Sequence, residues 1–464
     1  MLTLGLVAQV GCHGVLDLSE KDSVDGGADS GAESDSGTGG DSGDGNDTGP
    51  DVTSGGDGDG DPVLPPDAVD LLLVIDNTSS MGYPQRGLAA VAPSMVQRLV
   101  DEGVDVRVGV TTTDNGNPFC PTSGVNDTTP EYGRLRATSC TTRPAEFEWP
   151  HTNALVEAYE STCLDGCSEE VGSTWSIAAT AIDGGADLAA RPWVEVHPDG
   201  ESNVVGASWA TALRCMVPQG VDGCGLEAPL ASQWEAIAKS SDPAEAHFGF
   251  LRDDAMLAVV HLTDEADCSA NPRVEALVFD QSLSDSPIWT GATLTSGACW
   301  TAGVQCTGDG MPYESCDVTD VNYLGEPVAP IDDPSAPDAL QPVLIPLSRF
   351  QDQLDALPRP PVVAAFAGAP AGYEDGVTEI VYSATQGSTQ SETFGIDFGC
   401  EASADEESLR GIPPVRLREL AAANHGADLA AASGLPRNVF SVCDGDISQE
   451  ADRIVDLILA GVAR

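Results

Sequence analysis

The chain has 464 residues, of which 50 are Gly, 32 Pro and only 5% aromatic, so its length corresponds to about three domain units of ~150 residues but not all of it can pack. Seventy-four acidic against 20 basic residues give a formal charge of −54, which repels phosphate backbones and anionic lipid and so argues against nucleic-acid or membrane-surface binding. Thirteen cysteines without one Cys-x-x-Cys pair argue against zinc-ribbon and redox-motif readings and for disulfides formed in an oxidising compartment.

Residues 1–12, MLTLGLVAQVGC, are a short apolar run ending in Gly11 and Cys12, like the end of a bacterial lipoprotein signal in which Cys12 takes the lipid. The run departs from that pattern in having no Lys or Arg before it and in placing Gln9 where a small aliphatic residue is usual. With Cys12 set apart, the other twelve cysteines suffice for six disulfides. Export is expected, to the outer membrane, cell surface or periplasm, with contact to a membrane only through an N-terminal lipid anchor. No other apolar run approaches the roughly 20 residues that span a bilayer. Residues 13–66 are rich in Asp, Gly and Ser, with Val24 and Val52 the only branched aliphatic residues between Glu20 and Asp61. Such a segment cannot bury enough apolar surface to offset its ordering entropy, and reads as an acidic tether. Asp57, Asp59 and Asp61 alternate with glycine there but lack the downstream bidentate Glu of an EF-hand.

After Pro65 and Pro66 the pattern changes. Residues 69–75 form a nearly continuous apolar run, the mark of a strand buried on both faces of a parallel sheet. Over residues 85–102, Leu88, Val91, Met95 and Leu99 recur at helical spacing, and Pro93 inside the pattern predicts a kink or a helix in two pieces. Residues 104–110, 255–262, 362–367 and 438–442 read as strands. Helical stretches fall near 225–240, 345–357 and 413–424, with a last one presenting Ile447, Ile454, Ile458 and Val462 on one face. The alternation predicts an α/β fold over residues 67–464: a doubly wound, mostly parallel sheet flanked by helices, with ligands at the carboxyl ends of its strands. Residues of about 113–172 and 279–340 lack periodicity and are expected to be insertions stapled by disulfides. Cys215 with Cys224 and Cys400 with Cys443 are plausible pairs, though spacing alone does not fix connectivity.

The first strand runs into Asp76, Asn77, Thr78, Ser79, Ser80 and Met81. A carboxylate and two hydroxyls two residues apart on one loop are hard oxygen ligands suited to Mg²⁺, Mn²⁺ or Ca²⁺. The segment resembles the von Willebrand factor type A domain, whose first strand leads into Asp-x-Ser/Thr-x-Ser followed by Met, the start of a metal-ion-dependent adhesion site. A second apolar strand ends in Thr263, Asp264 and Glu265, similar to that family's later Thr-Asp element, and the resemblance implies that Asp264 contributes a further oxygen. It also implies a threonine ligand in the loop before the intervening helix. Chain order points to residues 219–224, which hold no threonine but offer Asp222; local pattern points to Thr174 in the segment GSTWS. Residues 223–230, 250–255, 262–269 and 414–417 look like those of secreted, cysteine-rich type A lipoproteins of proteobacteria and myxobacteria. Within that likeness Cys268 is expected to clamp the metal loop to an insertion.

The resemblance implies an exported binding or adhesion protein, Rossmann-like in its sheet. Its divalent cation, held by Asp76, Thr78, Ser80 and Asp264, would engage a carboxylate of a partner protein or an acidic group of a glycan. Two other classes compete: a passive envelope protein with a decayed site, and a hydrolase using paired carboxylates. No Gly-x-Ser-x-Gly, His-Glu-x-x-His or P-loop motif supports an enzyme. The six histidines are scattered without a His-x-x-x-His pair. Trp175, Trp193 and Trp209 read as core, with a sugar-stacking face as the sharper alternative.

Overall fold

Residues 68–75 are apolar at every position but Asp70, which leaves neither face of the strand for water, and in the computed structural model all eight residues of β1 (Ala68–Ile75) are buried. The structure describes residues 67–463 apart from 121–129, 152–153, 183–187, 281–285, 290–293, 332, 334 and 405–406. Cys12 and the acidic tether lie outside the described residues.

Five further strands join β1: β2 (Asp105–Thr112), β3 (Trp193–Val196), β4 (Met256–Leu262), β5 (Val362–Ala367) and β6 (Val439–Ser441). They lie in the order β6-β5-β4-β1-β2-β3. Every pairing is parallel except β2 with β3, whose antiparallel register runs from Val106 opposite Val196 to Gly109 opposite Trp193. The chain builds outward from β1 through β2 to β3, then crosses to β4 on the other side. The direction of strand order therefore reverses between β1 and β4, and the crevice beyond their carboxyl ends is where an open α/β sheet binds ligands.

Alternation along the strands divides the core in two. Val69, Leu71, Leu73 and Ile75 join one cluster, with α1 (Gly82–Asp101), α2 (Trp209–Met216), α6 (Ala427–Ser433) and α7 (Ser448–Val462) packed over it. Leu72 and Val74 face the other, covered by α3 (Pro229–Ser240), α4 (Leu347–Asp355) and α5 (Val415–Ala423). A charged residue inside β1 survives because Asp70 accepts from Arg252, which also pairs with Asp105 at the start of β2. Pro93 lies within α1, yet the element runs unbroken for 20 residues, so the expected division into two pieces does not occur.

Six disulfides staple the described chain: Cys120–Cys224, Cys140–Cys163, Cys167–Cys215, Cys268–Cys299, Cys306–Cys316 and Cys400–Cys443. The pairing of Cys400 with Cys443 agrees with the sequence reading. That of Cys215 with Cys224 does not, because each instead ties the insertion after β2 to the segment following β3. Cys268, just beyond β4, joins Cys299 of the second insertion. Six disulfides belong to an oxidising compartment outside the cytoplasm. No helix among the described residues is long and apolar enough to cross a membrane.

Candidate metal centre

Asp76 is the first residue past β1, and its backbone N–H continues the ladder by donating to the Leu262 carbonyl at 2.8 Å. Its carboxylate therefore projects at the end of the sheet, between β1 and β4. The Thr78 N–H and hydroxyl both donate to Asp76 Oδ1, at 2.9 and 2.7 Å, a local closure that turns the loop back on itself. From β4, the Thr263 hydroxyl donates to Asp76 Oδ2 at 2.8 Å. The Asp264 backbone N–H lies beside the Asp76 carboxylate and favours its charged form. Ser80, which is exposed, stands beside the Asp264 carboxylate, whose Oδ1 has no hydrogen-bond partner. The structure thus brings Asp76, Thr78, Ser80 and Asp264 to one place, with Thr78 and Thr263 hydrogen-bonded to Asp76, walled by protein behind Asp76 and open at Ser80.

Gln85, fully buried on the first turn of α1, fixes this loop against its neighbour. Its Nε2 donates to the carbonyls of Asp76 and Gly220, both at 2.7 Å, and its Oε1 accepts from the Gln219 N–H at 2.8 Å. The Gly223 N–H donates to the Asn77 carbonyl at 2.8 Å. A Cβ at Gly223 would overlap the Asn77 side chain, so the close approach of the two loops requires glycine.

Asp222 lies in that second loop, where the charged groups that act on it most are Glu146, Glu131 and Arg136. Burial first, and then Glu146, push its carboxyl up to about 8. Thr174 is exposed and donates its hydroxyl to the Val171 carbonyl at 2.8 Å, in a turn of the first insertion. Thr174 makes no hydrogen bond to the Asp76 group, whereas Asp222, its Oδ1 shielded and without a partner, adjoins Gly223 in the loop held to Asn77.

Glu227 is brought to the Asp76 group. It is 2% exposed, and its Oε2 accepts no hydrogen bond. Its backbone carbonyl accepts from the Cys268 N–H at 2.6 Å, which ties it to the segment after β4. Burial holds its carboxyl well above the usual range, and Asp76, Glu265 and Asp264 raise it further. Asp264 is raised by burial and then by Glu265 and Asp76, while Asp76 is raised by burial against the opposing hydrogen bonds from Thr78 and Thr263. Glu265, whose Oε2 accepts from the Ser296 hydroxyl at 2.5 Å, is pushed up to about 8 by burial and by Asp76.

Three buried carboxylates and half-buried Glu265 therefore act on one another, and no Lys, Arg or His among the described residues forms an ion pair with any of them. Mutual repulsion in a desolvated site is relieved by protons or by a cation. No three His, Cys, Asp or Glu side chains among the described residues converge closely enough to hold an ion by themselves. An ion here would accordingly need the hydroxyls as well. Thr78 suits that use, since it gives its proton to Asp76 and keeps oxygen lone pairs free, and the exposed Ser80 hydroxyl offers the same lone pairs.

The sequence reading missed Glu227 and Gln85. Glu227 left one trace, as a lone charge in the apolar stretch Leu226 to Leu230, and Gln85 another, as a polar residue on the buried face of α1. Among the histidines, His261 on β4 is fully buried beside Gln233, with Nε2 and Oε1 2.8 Å apart, and is depressed to about 3 by burial. No protein-family model matches the chain, and no curated protein matches it.

Proposed function

We propose that this is an exported module of the von Willebrand factor type A kind that holds a divalent cation, Mg²⁺ or else Mn²⁺ or Ca²⁺, at Asp76, Thr78, Ser80 and Asp264. Through the ion's open face it binds a carboxylate of a partner protein or an acidic group of a glycan. The observation that carries this reading is the Asp76 carboxylate held by Thr78 and Thr263 at the β1/β4 switch point, with buried Asp264 and Glu227 and half-buried Glu265 about it and no Lys, Arg or His among the described residues in an ion pair with any of them. A hard cation answers that charge with the oxygen ligands it prefers. Binding follows from what the protein leaves undone: an ion reached by exposed Ser80 keeps a coordination position for an outside oxygen. Attachment to a membrane through lipid on Cys12 is part of the same proposal, and the acidic tether would then hold the module away from the surface.

The test is thermal melting of the full chain in EDTA and in millimolar Mg²⁺, Mn²⁺ or Ca²⁺, with ionic strength matched by monovalent salt. At least one ion should raise Tm, and Asp76→Ala should abolish the rise while the far-UV spectrum stays native. Absence of a rise with all three ions would overturn the cation reading. Adhesion to a carboxylate-coated surface should disappear in EDTA and return with the ion. Mass analysis of the mature N-terminus decides the anchor, and an unacylated Cys12 refutes it.

A further inference from the structure

Of the three tryptophans that could have formed a sugar-stacking face, Trp193 is fully buried against Phe250, while Trp175 and Trp209 are half-buried and pack in part on the core. Trp175 borders open space. It lines a cleft of about 510 Å³ formed by three segments: residues 137–142, 172–177 and 190–192, with Ala246 closing one side. Two of the walls are stapled, by Cys140–Cys163 and Cys167–Cys215. The volume is that of a small-ligand site, and it lies on residues that take no part in the Asp76 group.

Two donors in this cleft's wall lack acceptors. The indole Nε1 of Trp175 and the Nε of Arg191 are both shielded from water, and neither makes a hydrogen bond. Desolvated N–H groups of this kind are costly to leave unpaired. Arg191 is also unusual in its charge. In a protein of net charge −54, with acids available nearly everywhere, it meets no carboxylate among the described residues; its Nη1 reaches only the Ala246 carbonyl, at 3.4 Å. The remaining surface supplies a flat aromatic face, apolar Ala137 and Ile177, and the hydroxyls of exposed Thr138 and Ser176.

We propose that this cleft is a binding site for an acidic sugar of a glycan chain, independent of the cation. A pyranose ring offers an apolar face to Trp175, ring and hydroxyl oxygens to Thr138 and Ser176, and a uronate carboxylate to the outer nitrogens of the Arg191 guanidinium. An extended acidic peptide has the carboxylate but not the flat, oxygen-edged ring, and a neutral sugar has the ring without the charge.

The experiment is calorimetric and tryptophan-fluorescence titration of the full chain with a short oligogalacturonate, in excess EDTA so that the Asp76 site cannot contribute. A cello-oligosaccharide of equal length and a poly-glutamate peptide serve as controls. Saturable binding of the oligogalacturonate that weakens with salt is expected, falling by ~10–100-fold in Arg191→Gln and recovering in part in Arg191→Lys. Trp175→Ala should abolish binding; if that variant melts early, Trp175→Phe should retain binding while Arg191→Gln still loses it. No saturable binding by the wild type, equal binding of either control, or an unchanged affinity in Arg191→Gln each overturns the proposal. Since EDTA is present throughout, failure here leaves the cation proposal to stand or fall on its own melts.

Discussion

Glu227 has no basic partner among the described residues, and its fate with pH can be worked out from the group it belongs to. Glu265 is raised from 4.5 to about 8, so the folded chain holds this proton more tightly than the unfolded chain does. Stability from that difference is complete below about 4.5 and is lost as pH climbs through about 8; Asp76, Asp264 and Glu227, all raised, act in the same direction. His261, depressed from 6.5 to about 3, opposes them only below about 6.5. Metal-free protein should therefore melt lower at pH about 8 than at about 6.5, and a saturating divalent ion should remove most of the difference. The ion displaces protons, so its binding heat at pH about 6.5 should vary with the ionisation enthalpy of the buffer; a heat constant across buffers sinks this account. Glu227→Gln keeps the shape and deletes one charge. It should raise the metal-free Tm at pH about 8 and weaken the ion by at least ~10-fold. Asp76, Thr78 and Ser80 were legible as a group because they stand two residues apart just past an apolar strand, and Asp264 joined them through the resemblance of Thr263 and Asp264, past a second such strand, to the type A family's later element. Glu227 was not, because what makes it part of the group is the Cys268 N–H on its carbonyl, a contact between segments that no spacing announces.

At the scale of elements, the same contrast separates strands from their partners. β1, β4, β5 and β6 could each be read from largely apolar runs, and β2 from the alternation of valines over residues 104–110, since a strand covered on both faces is mostly apolar. β3 could not. It is four residues long, contains Glu195, and exists because that side chain pairs with Arg107 of β2 at 3.0 Å and accepts from the Trp193 indole at 2.7 Å. Connections between loops were equally hidden. Gln85 joins α1 to the carbonyls of Asp76 and Gly220, positions where water cannot replace it. Gln85→Leu leaves two carbonyls and the Gln219 N–H unpaired, for an expected loss of about 2–4 kcal/mol in denaturant unfolding. Because every proposed ligand remains in place, weaker ion binding in that variant would show that loop position, and not only ligand identity, sets affinity. Gln85→Glu offers the same reach but two acceptors, and should fare no better, since the carbonyls need a donor.

Over the whole molecule, charge changes what a metal titration means. A chain of formal charge −54 repels itself, and any added salt reduces that repulsion over a screening length of ~10 Å at 0.1 M. The disulfides offset part of it by holding the insertions to the sheet: Cys120–Cys224 closes a separation of 104 residues and Cys306–Cys316 only 10, so loss of the first should cost the more, within a range of about 2–5 kcal/mol. Against this background Tm should rise smoothly with NaCl and level off once surface charges are screened. Mg²⁺ at equal ionic strength should add a further rise that saturates stoichiometrically, because four carboxylates shielded from bulk salt are neutralised only by an ion that enters among them. Asp76→Ala should keep the NaCl response whole and lose the divalent increment. If instead the variant and the wild type follow one curve in both salts, the stabilisation is diffuse screening of an acidic surface, and the buried cluster balances its charge with protons.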